Sequence, residues 1–344
     1  MKEQLDRLLK AAFQLGASDL HLTVGVPPIV RVNGDLKRYG NESLLPNVTE
    51  QMAKLLIPEG LWDTFTEKGD LDFSYSMPGV SRFRMNAYHQ RSCISLAIRI
   101  VPTDIPSMEA LHVPEIMKKL SLKPQGLILV TGPTGSGKST TLASTINFMN
   151  HTVQKHIITL EDPIEYLHKH RSCVIDQREV GSDTKNFGDG LRAALRQDPD
   201  VILVGELRDL ETIQTAVTAA ETGHLVLGTL HTSNASATID RIIDVFPPSQ
   251  QTQIRVQLAS VLVGILSQRL FPTEDRKGRR PAFEVLVNNA AVANLIRDSK
   301  VYQIPNVLQT SRAAGMIALE SSIKQLLSEN AILREAAEPY LQGE

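Results

Sequence analysis

The chain has 344 residues, of which 42% are hydrophobic and 22% are charged, and its formal net charge is −2. This composition is typical of a globular protein that buries a core, and the length predicts about two domains. The near-neutral charge argues against nucleic-acid partners. The chain has two cysteines, Cys93 and Cys173, which are far apart in sequence and argue against a disulfide framework or a cysteine-rich zinc site. No run of about 18 apolar residues is present, so no membrane span is predicted.

The first hundred residues have the pattern of a small α+β module. Apolar residues at helical spacing predict a helix over 3–15, and Asn33-Gly34 between extended runs predicts a hairpin, since a type I′ turn needs two positive φ angles. Alternating patterns predict strands over 70–77, 82–88 and 94–100. The N-terminus has acids and no apolar core, so it does not have the pattern of a signal peptide, and we expect a cytoplasmic protein.

From Gln125 onwards the pattern changes to strands that alternate with helices. Apolar runs predict strands at 127–131, 156–160, 201–205 and 225–229, and helices at 139–149, 250–270, 289–298 and 317–328. Such alternation is typical of a parallel sheet with crossover helices. We therefore expect an N-terminal domain over 1–101, a proline-containing linker over 102–124, an α/β core over 125–270 and a helical C-terminal region over 271–344.

The most specific signal is a phosphate-binding loop that follows the strand at 127–131. It fits the pattern G-x-x-x-x-G-K-[ST] and consists of Gly132, Pro133, Thr134, Gly135, Ser136, Gly137, Lys138, Ser139 and Thr140. Glycines let backbone N–H groups surround a polyphosphate at the N-terminus of the next helix. Lys138 is expected to bind the β- and γ-phosphates and Ser139 to bind Mg²⁺, so the sequence predicts ATP and Mg²⁺ as ligands.

Acids follow two other predicted strands of the same sheet. Glu161, Asp162 and Glu165 follow the strand at 156–160, and Glu206 follows the strand at 201–205 after Gly205, which replaces the usual aspartate. Open α/β sheets bind ligands at the carboxyl ends of their strands. Glu206 is expected to polarise the attacking water, and Glu161 is the better candidate of the first group. Acids that merely end a surface strand are the alternative.

Histidines stand at both ends of the predicted strand at 225–229. His231 follows the strand and could donate a hydrogen bond to a γ-phosphate, whereas His224 precedes it and lies farther from the phosphate edge if the strand is parallel. A packed or capping histidine is the alternative for both residues.

Three arginines of the N-terminal module are also candidates. Arg82 and Arg84 share one face of a predicted strand, and Arg99 lies on the polar face of the next strand. If these strands pair, the three guanidinium groups share a surface. That surface is either the solvated face of an antiparallel sheet or a set of fingers for nucleotide phosphates, and the residues alone do not decide between the two.

Taken together, these motifs resemble the bacterial type IV pilus retraction ATPases of the secretion-ATPase superfamily, over nearly the whole chain. The matching segments are Gly16–Leu22, Ser81–Asn86, Gly132–Thr140, Leu160–Glu165, Leu191–Glu206, Thr218–His231 and Asp240–Phe246.

The resemblance implies a PAS-like N-terminal domain, a RecA-like ATPase domain with a helical C-terminal extension, and a homohexamer that binds ATP between subunits. It implies that Glu206 is the Walker B catalytic glutamate, that Glu161 belongs to an acidic box, and that His224 and His231 form a histidine box. It also implies that Glu161 and Glu206 act with Ser139 at the metal, and that Arg82, Arg84 and Arg99 are interface arginines.

Two absences favour a retraction motor over the pilus assembly and type II secretion ATPases. This sequence has neither the extra N-terminal domain nor the tetracysteine zinc module of those relatives. The expected partners are the pilus machinery and an inner-membrane platform protein, with no nucleic acid and no membrane insertion, at the inner face of the cytoplasmic membrane.

The C-terminal region departs from the pattern of the retraction ATPases. Their helix reads Ala-Ile-Arg-Asn-Leu-Ile-Arg-Glu, whereas this chain has Ala293 at the first arginine, and the segment Gly315–Glu320 differs from the usual Gly-Met-Gln-Thr. An accessory retraction-type paralogue therefore stays open, as do an assembly or secretion ATPase and, more remotely, a nucleic-acid motor.

Overall fold

The computed structural model describes residues 1–341, which form two compact units. The first unit contains residues 1–104 together with 165–167, and the second contains residues 105–164 and 168 onwards. The predicted linker at 102–124 includes a short helix, and from Ile105 onwards its residues belong to the second unit.

The first unit is an antiparallel sheet of six strands, in the order β3-β2-β1-β6-β5-β4, with three helices. Its elements are α1 (Lys2–Gln14), β1 (Asp19–Leu22), β2 (Ile29–Val32), β3 (Asp35–Arg38), α2 (Pro46–Leu56), α3 (Trp62–Lys68), β4 (Asp70–Met77), β5 (Ser81–Gln90) and β6 (Cys93–Ile100).

Local sequence accounts for these elements. Asn33 and Gly34 have φ angles of 54° and 90°, which confirms the predicted hairpin between β2 and β3. Along β5, Phe83 and Met85 are buried, and the polar residues between them lie on the other face. The alternation therefore places an apolar face on the core of this unit and leaves a polar face with arginines.

The second unit contains a sheet of seven strands in the order β13-β12-β7-β11-β10-β8-β9, parallel except for β13. The strands are β7 (Gly126–Thr131), β8 (His156–Glu161), β9 (Val174–Glu179), β10 (Val201–Val204), β11 (Leu225–Leu230), β12 (Leu262–Pro272) and β13 (Arg279–Val287). The helices are α4 (Ile116–Ser121), α5 (Lys138–Thr152), α6 (Phe187–Ala194), α7 (Leu210–Glu221), α8 (Ala235–Asp244), α9 (Pro248–Val261), α10 (Ala290–Arg297), α11 (Ile304–Thr310), α12 (Leu319–Ser328) and α13 (Arg334–Ala337).

The central strands β7, β10 and β11 are buried along their whole length, as expected for a parallel sheet covered on both faces. Because these strands are parallel, their carboxyl ends lie at one edge of the sheet. The phosphate loop follows β7 at this edge, Glu161 ends β8, and Glu206 and His231 follow β10 and β11. This confirms the predicted strand–helix alternation, and the edge is where the candidate site is assembled.

The predicted helix at 250–270 is confirmed in its first part and wrong from Leu262 onwards. Helix α9 ends at Val261, and the chain continues as β12, which pairs with β7 and β13. A continuous apolar run does not distinguish a buried helix from a buried strand by periodicity, so pairing with β7 decided the conformation. Gly264 permits this packing, since a Cβ there would lie 2.8 Å from the Leu286 carbonyl oxygen. The region after residue 270 consequently begins with strand residues and is helical only from Ala290 onwards.

Over residues 1–341, no helix has both the length and the apolar character needed to cross a membrane.

Candidate active site

The phosphate loop connects β7 to α5, and its backbone requires glycine. Gly132 and Gly137 have φ angles of 144° and 89°. A Cβ on Gly132 would lie 2.3 Å from the Gln268 carbonyl oxygen, and one on Gly137 would lie 2.8 Å from Gln268 Nε2. The loop is therefore packed against β12 so closely that side chains at these two positions are excluded.

The polar groups of the loop fit a polyphosphate. Lys138 Nζ donates hydrogen bonds to the carbonyl oxygens of Gly132 at 2.8 Å and Pro133 at 3.1 Å. The buried hydroxyl of Ser136 has no hydrogen-bond partner in the described part of the chain. Together with the N-terminus of the 15-residue helix α5, these groups provide an ammonium, a hydroxyl and backbone N–H donors for phosphate oxygens.

Several other residues of the phosphate loop are exposed to solvent. Thr134 and Gly135 are exposed, and Ser139 is exposed in the first turn of α5. Residues 1–341 contain no cluster of three or more His, Cys, Asp or Glu side chains arranged for a metal ion. This is compatible with Mg²⁺, which is usually held by one or two protein groups together with phosphates and water.

Glu206 directly follows β10, and the structure explains why Gly205 precedes it. The Gly205 N–H donates to the Leu160 carbonyl oxygen at 2.7 Å, and Thr229 Oγ1 donates to the Gly205 carbonyl oxygen at 2.5 Å. A Cβ on Gly205 would lie 3.0 Å from the Leu160 oxygen. The close approach of β8 therefore leaves little room for the aspartate that is usual at this position.

Two cationic or titratable side chains contact the Glu206 carboxylate. Oε1 lies 3.3 Å from His231 Nε2, and Oε2 lies 2.6 Å from a guanidinium nitrogen of Arg208. Burial alone raises the pKa of Glu206, but the hydrogen bond from Arg208 and the contact with His231 outweigh it and hold the pKa below its usual value. Glu206 is therefore ionised at neutral pH.

His231 connects Glu206 to the phosphate loop. Its Nδ1 lies 3.5 Å from Lys138 Nζ, and its Nε2 faces Glu206. An ammonium group can only donate, so Nδ1 is assigned as the acceptor and Nε2 as the nitrogen that carries the proton toward the carboxylate. Lys138, His231 and Glu206 thus form one continuous polar line at the edge of the sheet.

Glu161 lies at the same edge, at the end of β8. The register of β8 with β10 pairs Leu160 with Val204, so Glu161 is one step from the level of Glu206. Its Oε1 accepts hydrogen bonds from Thr159 Oγ1 at 2.6 Å and from Gln177 Nε2 at 3.0 Å, contacts that fix the carboxylate.

The other acids and the second histidine do not join this line. Asp162 is exposed beyond the end of β8, and Glu165 belongs to the first unit. His224 precedes β11, and its Nδ1 lies 3.0 Å from the Ala219 carbonyl oxygen at the end of α7. Since β11 is parallel to β7, His224 lies about 20 Å from His231, at the opposite edge.

The arginines of the first unit share one sheet face. Arg84 is directly opposite Arg99 in the β5–β6 pair. Arg99 Nε donates to Asp19 Oδ1 at 3.0 Å, and Arg82 donates to Ser76 Oγ at 3.0 Å. Arg84 has no ion pair or hydrogen bond within residues 1–341 and lines, with Arg99 and Asp19, an open pocket of about 170 Å³.

Sequence reasoning missed two residues of the site. Arg208 follows Glu206 by two positions, and an exposed arginine gave no signal by itself. Gln268, whose Oε1 accepts a hydrogen bond from Thr141 Oγ1 at 2.7 Å, supports the phosphate loop from β12. It could not be identified while residues 250–270 were expected to be helical.

Comparison with known proteins identifies relatives over nearly the whole chain. The family model described as "Type II/IV secretion system protein" matches residues 70–337. The type IV pilus retraction ATPase PilT of Pseudomonas aeruginosa is 45% identical over 97% of this chain and 96% of its own length. The type IV pilus ATPase PilU of the same organism is 41% identical over 97% of this chain and 87% of its own length.

The fold has a close experimental counterpart as well. A crystal structure of the pilus retraction motor PilT with bound ADP is similar with a TM-score of 0.87 and 46% identity, over 98% of this chain and 96% of that one. A phosphate loop that fits a nucleotide, a shared fold and this extent of identity lead to one assignment: the chain belongs to the type II/IV secretion system protein family and is a PilT-type ATPase.

Proposed function

We propose that this protein is a Mg²⁺-dependent motor that hydrolyses ATP within a homohexameric ring and powers the retraction of type IV pili. The observation that carries the proposal is the line from Lys138 through His231 to Glu206, beside a loop that fits a polyphosphate. The identity to PilT over 97% of the chain supports pilus retraction as the use of that site.

Each residue of the line has a role in the proposed hydrolysis. Lys138 and the N–H groups of the loop would bind the β- and γ-phosphates. Mg²⁺ would be held, directly or through water, by Ser139, Glu161 and Glu206. The ion would neutralise the negative charge that develops on the phosphate. Glu206, ionised at neutral pH, accepts a hydrogen bond from the attacking water and orients it. His231 Nδ1 faces Lys138 Nζ, so a movement of the Lys138 ammonium toward a phosphate would remove the neighbour of Nδ1.

The arginine face of the first unit is proposed to act on the nucleotide of a neighbouring subunit. Guanidinium groups bind phosphate oxygens in a bidentate manner, and Arg84, which has no ionic partner within residues 1–341, is the cation most available for this. Binding of the γ-phosphate would draw Arg82, Arg84 and Arg99 of one subunit toward the next, and phosphate release would reverse the movement. His224 lies at the opposite edge of the sheet from His231, so its place in a histidine box is proposed from the resemblance alone.

The proposed location is the cytoplasmic face of the inner membrane, through a platform protein of the pilus machinery. The ring would transmit its subunit movements to that protein.

The hydrolysis site is tested with Glu206→Gln in a phosphate-release assay with and without Mg²⁺. The variant should bind ATP with unchanged affinity and lose turnover by roughly 10³-fold. The reason is that a neutral amide is a much weaker base and hydrogen-bond acceptor for the attacking water than a carboxylate. Glu221→Gln, an exposed change at the end of α7 and at the edge of the sheet opposite the phosphate loop, is the control. Undiminished turnover of Glu206→Gln would remove Glu206 from the chemistry.

The shared site is tested by mixing two inactive variants, Arg84→Ala and Lys138→Ala. If one subunit supplies the phosphate loop and the next supplies the arginines, mixed rings contain interfaces with both groups intact, and activity returns in the mixture. Mixtures that stay as inactive as the separate variants would contradict catalysis between subunits.

Ala293 favours a second candidate, an accessory retraction-type motor. This residue replaces the first arginine of the retraction-ATPase helix pattern, and in α10 it is only 7% exposed and packs in the core. The helix therefore lacks one of two cations expected on it. Expression in a strain that lacks its own retraction ATPase decides between the candidates. A retraction motor should restore twitching in that strain, whereas an accessory motor should not restore it unless the strain's own retraction ATPase is also expressed.

A further inference from the structure

The turn between β10 and α7 is fixed at both of its ends. Leu207 is 4% exposed, and its N–H donates to the Thr229 carbonyl oxygen at 3.0 Å. Asp209 caps α7 by accepting hydrogen bonds from the Thr212 N–H at 2.9 Å and from the Thr212 hydroxyl at 2.8 Å. Arg208 lies between these two anchors, so its backbone has a defined position relative to the end of β10.

From that position Arg208 forms an ion pair with only one of the two oxygens of the Glu206 carboxylate. Its guanidinium takes Oε2 at 2.6 Å, which leaves Oε1 directed toward His231, 3.3 Å away, and through it toward Lys138 and the phosphate loop. Without Arg208, rotation about the last side-chain bond of Glu206 would exchange or misdirect these oxygens. The ion pair therefore determines the orientation of the group that must meet the attacking water.

A purely stabilising role does not fit the exposure of the pair. The Arg208 side chain is 67% exposed and that of Glu206 is 16% exposed. An ion pair with so accessible a partner contributes little to folding stability. Loss of the guanidinium should thus leave the fold intact, and any effect on turnover can be measured separately.

We propose that Arg208 is a positioning residue for hydrolysis, which holds Glu206 Oε2 so that Oε1 faces His231, on the side of the phosphate loop. The inference rests on the proposed catalytic role of Glu206 and assigns to Arg208 no contact with the nucleotide. Its effect must therefore pass entirely through Glu206.

The test compares Arg208→Gln, Arg208→Lys and the control Arg276→Gln in the full-length protein, by steady-state ATP hydrolysis. Arg276 is an arginine of similar exposure, 71%, in the loop between β12 and β13. Arg208→Gln should lower kcat roughly ten- to a hundredfold with KM within about twofold, since orientation and not binding is lost. Arg208→Lys should recover part of kcat, and Arg276→Gln should match the parent protein.

The division of the effect between kcat and KM is the readout that a structural role would not produce. A variant with a damaged fold would lose ATP binding together with turnover, whereas a misdirected Glu206 carboxylate lowers kcat and leaves KM within about twofold. An unchanged kcat in Arg208→Gln, or a loss of kcat accompanied by an equal loss of ATP binding, would overturn the inference.

The variant Glu206→Gln separates this inference from the proposed function. If Glu206→Gln is inactive and Arg208→Gln is fully active, only the role of Arg208 fails; if Glu206→Gln is active, the proposed chemistry fails first. When both single variants are impaired, the double variant should be no slower than Glu206→Gln, because Arg208 acts through that carboxylate. A further loss in the double variant would mean that Arg208 acts elsewhere, which contradicts the inference.

Discussion

Replacement of Gly132 by alanine should damage both the fold of the second unit and the binding of ATP. A Cβ at this position would lie 2.3 Å from the Gln268 carbonyl oxygen and 2.7 Å from Ser136 Oγ, on a residue whose φ is 144°. Overpacking of this kind costs about 1–3 kcal/mol, and the glycine-only backbone conformation adds about 1–3 kcal/mol. Relief of the overlap requires β12 to move away from the loop, so the phosphate site deforms as well.

Gly135→Ala is the matched control in the same loop. Gly135 also has a positive φ, 77°, but a Cβ there has no neighbour within 4 Å. Only the left-handed conformation then opposes the change, at about 1–2 kcal/mol. The two variants therefore differ mainly in the steric contacts that a Cβ makes with Gln268 and Ser136, which arise only in Gly132→Ala.

The assay is thermal unfolding of the full chain with and without ATP. At about 2–4 °C per kcal/mol, Gly132→Ala should lower the melting temperature by roughly 4–24 °C and Gly135→Ala by roughly 2–8 °C. Only Gly132→Ala should also lose most of the stabilisation that ATP provides. Equal melting temperatures and equal ATP responses in the two variants would refute the reasoning, because they would mean that the β12 contact does not constrain the loop.

Two further predictions concern other parts of the second unit. Burial lowers the pKa of His156, but its hydrogen bond to Asp176 at 3.0 Å and its contact with the Asp198 carbonyl oxygen raise it above 6.5 overall. The raised pKa of His156 contributes folding stability that is present below pH 6.5 and is lost as the pH rises through the folded-state pKa. Asp176→Asn should therefore lower the melting temperature by at most about 4 °C at pH 6 and leave it unchanged at pH 8.5. Equal losses at both pH values would exclude the ion pair as the cause. Arg297→Ala, on the exposed face of α10, should leave ATP hydrolysis within about twofold and abolish twitching, measured by complementation, because it removes the remaining cation of that helix; a normal twitching zone would exclude the helix from partner binding.

Much of the fold followed from short-range pattern. The strands β4, β7, β8, β10 and β11 and helix α5 lie within a few residues of their predicted bounds, because alternation, apolar runs and the glycine loop are local signals. The phosphate loop could be identified with its ligand class, since each of its residues has one physical role in a contiguous segment. The same logic predicted that Glu206 lies at the carboxyl end of a parallel strand, and the structure places it there.

The resemblance to retraction ATPases extended these predictions, and the family itself is confirmed by the match over residues 70–337. The roles assigned to the individual site residues stay predictions, from Glu206, Glu161 and His231 to His224 and the arginines Arg82, Arg84 and Arg99. The structure adds that Arg84 and Arg99 are direct neighbours across two strands and that Arg99 is held by Asp19.

By itself, the sequence predicted a nucleotide-binding phosphate loop and determined that an α+β unit precedes an α/β unit, because those properties reside in contiguous motifs and periodicities. Only the tertiary structure decided that residues 262–272 form a strand, that Gln268 supports the phosphate loop, and that Arg208 and His231 share the two oxygens of Glu206. These relations join residues from different strands, and their contacts depend on strand order and register, which a linear pattern does not specify.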